Sequence, residues 1–276
     1  MKKKKIKSGL MATVGLLTPL STVVLVPSIR SRVSRKVQSA YQNQRSLFHE
    51  EGMKIWIPDG RSTPKKDWAP VMTTLNADRK FSRFIKEKAR MTILYNFGYF
   101  PLYKKQSSFY DPESPYYTSF YGGYGIRRKS GNPYGFTGNA LNTEEVAQVV
   151  KFDVTRLVLR FIGKKNAHFD YGINGIKKVR LFGEPDWYRI DGVIETNGAY
   201  HQHSEKLPGL IQYGKPPKRP SGTEEYPLIK LIGRIYMKYD RDKDLTLAFY
   251  CLCRENQVIE DWEKNILQET VITEKH

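Results

Sequence analysis

The sequence predicts an α+β chain. An N-terminal membrane or targeting helix is followed by helices packed on an antiparallel sheet of about four strands, with a C-terminal helix at its edge. Three observations predict it. An uncharged stretch, Ser8 to Ile29, lies between lysines and arginines. Apolar residues recur at helical spacing near 77–97 and 143–162. From residue 177 the apolar period changes to two, the period of a half-buried strand.

Residues 1–29 form the first unit, a hydrophobic anchor or signal. As a helix, Ser8 to Ile29 would run about 33 Å, enough for the hydrocarbon of a bilayer. Lys2, Lys3, Lys4, Lys5 and Lys7 precede it, and Arg30, Arg32 and Arg35 follow. Signal peptidase needs small residues at −3 and −1. Val26 and Ser28 could serve, but Pro27 between them and Ile29 after them make a poor site. The expectation is therefore an uncleaved signal-anchor, with contact to the membrane through residues 8–29. That describes a single-pass membrane protein of the cell envelope, with the bulk of the chain extracytoplasmic. The acid-free segment 28–46 carries Arg and Ser and also fits an organelle presequence.

Residues 30–75 read as a basic stalk and irregular linker. Ile29, Val33, Val37 and Tyr41 recur every four residues, which predicts a basic amphipathic helix over 29–45. Arg30, Arg32, Arg35 and Lys36 suit anionic lipid headgroups, or simply solvate a stalk. Residues 52–75 are interrupted by prolines and read as irregular.

Residues 76–276 read as a single α+β domain. Its first helix starts near Asn76 or Asp78 and carries Phe81, Phe84, Ile85, Ile93 and Leu94, with Gly98 as the stop. The opposite face carries Arg79, Lys80, Arg83, Lys86, Lys88 and Arg90, which can track phosphates or stay solvated. Residues 95–138 form an aromatic-rich insertion. Tyr116, Tyr117, Tyr121 and Tyr124, with Arg127 and Arg128, are the candidate binding set, suited to stacking on bases or sugars or to a protein interface. The alternative is a long loop that lays its rings on its own core. Asn142 and Glu145 have capping-box spacing ahead of Val146, Val149, Val150, Val154, Leu157, Val158, Phe161 and Ile162, and Gly163 follows.

The predicted strands are Lys177–Phe182, Trp187–Thr196, Leu228–Tyr239 and Leu245–Arg254, the last two joined by a polar turn at 240–244. On the fourth, Leu245, Leu247, Phe249, Cys251 and Cys253 share a face, so the cysteines read as small buried hydrophobes. A final helix over about 258–268 presents Ile259, Trp262, Ile266 and Leu267.

Charge and motifs bound the function. The net charge is +18, but residues 1–48 hold ten Lys and Arg and no acid. The remaining residues carry +8, which weakens a nucleic-acid reading of the whole chain. His201 and His203 could hold a metal from a loop, with Glu205 or His168 as a third ligand. Glu184, Asp186, Asp191 and Glu195 cluster around the second strand, where acids can hold a divalent ion or pair with basic neighbours. Asp240, Asp242 and Asp244 imitate a calcium loop, but Leu245 stands where its glycine is needed. No catalytic residue is assigned and no cofactor is expected. The leading function is a membrane-anchored, non-enzymatic cell-envelope component that binds protein partners within a larger complex. The alternatives are a nucleic-acid- or ribosome-associated protein, organellar in that case, and a metal-dependent hydrolase.

Overall fold

A computed structural model describes residues 27–60, 72–96, 115–116, 119–158, 168–197 and 228–274, without the side chains of 27–32, 35, 157 and 158. Eleven strands and five short helices are found among them. The strands are β1 (Met53–Trp56), β2 (Thr73–Asn76), β3 (Ala89–Asn96), β4 (Phe120–Arg128), β5 (Phe136–Thr137), β6 (Ala140–Leu141), β7 (Phe169–Leu181), β8 (Glu184–Thr196), β9 (Ile229–Asp240), β10 (Leu245–Cys253) and β11 (Val271–Glu274). The helices are α1 (Pro27–Asn43), α2 (Leu47–Glu50), α3 (Asp78–Ile85), α4 (Thr143–Phe152) and α5 (Asn256–Trp262). Wider π-type turns, Asp153–Val158 and Glu263–Leu267, extend α4 and α5.

The fold is mostly β, which corrects the expected four-stranded α+β arrangement. Seven antiparallel strands form one sheet in the order β2-β3-β4-β10-β9-β8-β7. It consists of two meanders, β2–β4 and β7–β10, joined where β4 pairs with β10. The pairs β1–β11 and β5–β6 form two small sheets.

Three strands of this sheet were hidden in the sequence: β2, which begins in the stretch 52–75 read as irregular, and β3 and β4, each for an identifiable reason. The predicted helix over 77–97 ends at Lys86, which adopts a left-handed conformation at φ 59°. The apolar residues beyond it, Met91, Ile93, Leu94 and Tyr95, belong to β3 and are buried between β2 and β4. Part of the expected loop at 95–138 is β4, disguised by its glycines. A Cβ on Gly122 would lie 2.1 Å from the Leu94 carbonyl oxygen, and one on Gly125 would lie 2.7 Å from the Phe48 ring. These strands need close approach more than β propensity.

Both faces of the sheet are covered. On one, α3 and α4 bury Phe81, Val146, Val149 and Phe152 against Met91, Tyr124, Ile126, Ile190 and Tyr250. On the other, α2 and α5 bury Phe48, Val258, Ile259 and Trp262 against Tyr121, Trp187, Phe249 and Cys251. Strand β10 is therefore buried at every residue. Its alternation, the 240–244 turn and the α4 cap match the sequence expectations. Asn142 accepts from the Glu145 N–H at 3.2 Å, although the Glu145 side chain turns to Arg128 and the Gly135 N–H instead.

The two sheet edges differ. Helix α1 covers β2, as Ser39 Oγ accepts from the Thr74 N–H at 2.9 Å and Asn76 Nδ2 donates to the Gln42 carbonyl at 2.7 Å. Strand β7 is the other edge. It carries two register irregularities against β8 and exposes Lys177, Lys178 and Arg180, features that discourage pairing with another chain.

The membrane expectation is also corrected. Among the described residues no helix is long and apolar enough to cross a membrane. Residues 8–26 of the expected anchor lie outside the described residues, and Pro27 to Ile29 belong to α1, which is basic and polar. A single-pass arrangement is therefore not supported.

Candidate functional site

Strand β4 carries the predicted binding residues to different places. Successive side chains on a strand point to opposite faces. Tyr121 enters the core under α2 and α5 and donates to the Pro58 carbonyl at 2.6 Å. Tyr124 enters the core under α3 and α4. Tyr116 is buried and bonds to Asp261, and Tyr117 lies outside the described residues. Arg127 reaches Glu50, Glu51 and the backbone carbonyls of Lys243 and Asp244. Arg128 pairs with Glu87 at 2.8 Å and with Glu145, and stacks 4.9 Å above the Tyr134 ring. The three described tyrosines and two arginines thus hold elements together and do not converge on one surface.

Tyr124 belongs to a polar cluster that the sequence did not reveal. Its hydroxyl donates to Asp153 Oδ2 at 2.6 Å, and its ring stacks on Tyr250 with centroids 4.6 Å apart. Asp153 is the first residue of the π-type turn that prolongs α4, and it is 2% exposed. Its Oδ1 has no hydrogen-bond partner among the protein groups, and the Tyr250 hydroxyl lies beside the carboxyl without a well-aligned hydrogen bond. Phe120, Val154, Tyr171, Ile194 and Gly233 help to enclose a cavity of about 20 Å³ here. That is room for about one water.

Burial penalises the carboxylate and pushes the Asp153 pKa up to about 6, although the hydrogen bond from Tyr124 and the neighbouring Tyr250 hydroxyl pull it back. The same burial pushes both tyrosine hydroxyls well above their ordinary range. The cluster can therefore hold a proton near neutral pH and accept one small hydrogen-bonding molecule. A lone Asp at the end of a valine-rich helix carries no sequence signal for this. The signal is tertiary, from Tyr124 and Tyr250 on paired strands β4 and β10.

The other predicted sites are structural or out of view. Asp191 lies between Arg189 at 2.9 Å and Arg234 at 2.6 Å, and Arg234 continues to Glu263 at 2.9 Å. Burial raises the Asp191 pKa, but the two guanidinium groups outweigh it and hold the carboxyl below its usual value. Glu184 pairs with Lys238, and Asp240 is in reach of Lys243. His201 and His203 lie outside the described residues, and among the described residues no cluster of His, Cys, Asp or Glu could hold a metal.

The surface offers two further features. A groove of about 560 Å³ runs between α1, β1 and β2, with Lys36, Ala40, Trp56 and Thr74 among its walls. On α1 itself, Val33, Val37 and Tyr41 are exposed, with the Arg45 guanidinium 4.2 Å above the Tyr41 ring. No known protein family, curated protein or solved structure matches the chain.

Proposed function

We propose that this chain is a non-enzymatic binding component of a larger assembly, a β-rich platform that makes its outside contact through α1. The orientation of α1 supports this reading. One side is fastened to β2 through Ser39 and Gln42. Roughly half a turn around the helix, Val33, Val37 and Tyr41 are 39%, 66% and 49% exposed. Three side chains aligned on one stripe thus leave much of their apolar surface in water. Covering them would recover about 25 cal/mol for each Å² removed from water. Size fractionation of native extract tests the reading. The chain should travel well above its 32.0 kDa, whether with protein partners or with membrane, and Val37→Asp with Tyr41→Asp should release it as a monomer. A wild-type chain that travels as a monomer refutes it.

A second reading, association with nucleic acid, draws on the exposed Arg79, Arg83, Lys86 and Lys88 of α3 and the turn after it. It requires RNA or DNA retention that falls steeply with salt and is lost in Arg79→Glu with Arg83→Glu.

A further inference from the structure

The occupant of the α1 stripe can be narrowed, on the reading that α1 is the contact surface. We propose that it is an anionic lipid surface, with α1 lying in the plane of the headgroups. Charge complementarity selects this partner. Residues 1–48 contain no Asp or Glu, and α1 with its flank carries Arg30, Arg32, Arg35, Lys36 and Arg45. A protein partner would need matching acids and a hydrophobic pocket, and nucleic acid would have no use for the outward valines. A bilayer surface satisfies both features, because an interfacial helix sinks its apolar stripe below the phosphates while basic residues stay at their level. Tyr41 adds an amphipathic ring of the kind favoured at that depth. Among the described residues, the attachment of α1 to β2 turns the stripe away from the sheet edge.

The experiment uses the full chain with vesicles of phosphatidylcholine, alone or containing phosphatidylserine. Residues 9–26 are apolar and uncharged, so bulk binding alone would not report on α1. A nitroxide on Val37→Cys does, since native Cys251 and Cys253 are buried and spared by labelling. On addition of phosphatidylserine vesicles the label at 37 should gain contact with oxygen and lose contact with a polar relaxant. A label on Lys177→Cys in β7 should show neither change. Arg35→Ala with Lys36→Ala should lower anionic-vesicle binding about thirty-fold at low salt. Equal binding to both vesicle types, or an unchanged label at 37, overturns the proposal. So does binding that survives Val37→Asp and is competed by RNA, which would make the basic residues a phosphate-tracking surface. If vesicle binding fails while the native chain still travels as a large assembly, the lipid occupant is wrong and the assembly reading stands.

Discussion

Replacing Asp153 with Asn should stabilise the protein at neutral pH, which is the reverse of the usual effect of altering a buried polar residue. Asp153 is fully enclosed, and its folded pKa is about 6 against an ordinary 3.8. A carboxyl whose pKa is raised by folding binds its proton more tightly in the native state. Below the unfolded value both states are protonated and the group is neutral to stability. As pH rises from about 4 to about 6 the unfolded chain ionises first, and native stability falls. The shift of about two units corresponds to about 3 kcal/mol above pH 6. Asn keeps an oxygen for the Tyr124 hydroxyl and carries no charge. Asp153→Asn should therefore match the wild type near pH 4 and exceed it by up to about 3 kcal/mol at pH 7.5. For a domain of this size that is about 6–12 °C in Tm. Urea denaturation of both proteins between pH 4 and 8 measures the difference directly. A variant less stable than the wild type at pH 7.5, or a difference that does not change with pH, refutes the account of the cluster.

Other positions test the fold. Gly122→Ala would place a methyl 2.1 Å from the Leu94 carbonyl oxygen, so β3 and β4 must separate. A loss of about 3 kcal/mol is expected in chemical denaturation. Asn142→Ala should cost about 1 kcal/mol through the lost α4 cap, with Asn142→Asp keeping most of it. Cys251 and Cys253 are buried, and burial pushes the Cys251 thiol well up. Both thiols should resist an aromatic disulfide reagent in the native state and react on unfolding. Rapid native-state labelling would contradict the placement of β10 at the centre of the sheet.

How much was legible depended on whether a local rule and the tertiary setting agreed. They agreed over β8, β9, β10 and the 240–244 turn, where alternating residues meet a core on at least one side. They agreed at Asn142, because capping is decided within four residues. They diverged at Phe81–Leu94, where one apolar series served two elements and the break at Lys86 left no glycine or proline to mark it. In β4, Gly122, Gly123 and Gly125 imitate a loop, yet their missing side chains admit Leu94, Phe249 and Phe48. The stripe of α1 was legible as a pattern, but its direction was not. The period of four states which residues share a face, and only the contact with β2 shows that this face looks outward. The Asp153 cluster was not legible, because its three members come from segments far apart in the chain.

The seam between β4 and β10 also bears on how the chain is made. Its pairing joins Thr246 to Ile126 and Cys251 to Tyr121, across well over a hundred residues. During synthesis β2, β3 and β4 leave the ribosome long before their partner exists. Until β10 arrives, β4 presents an open strand edge whose rings have no second layer above them. Closure of so distant a contact is slow compared with hairpin formation, and exposed edges of this kind aggregate. The nascent chain thus passes through a little under half of its translation with that edge open, and that interval is when it is most prone to aggregate.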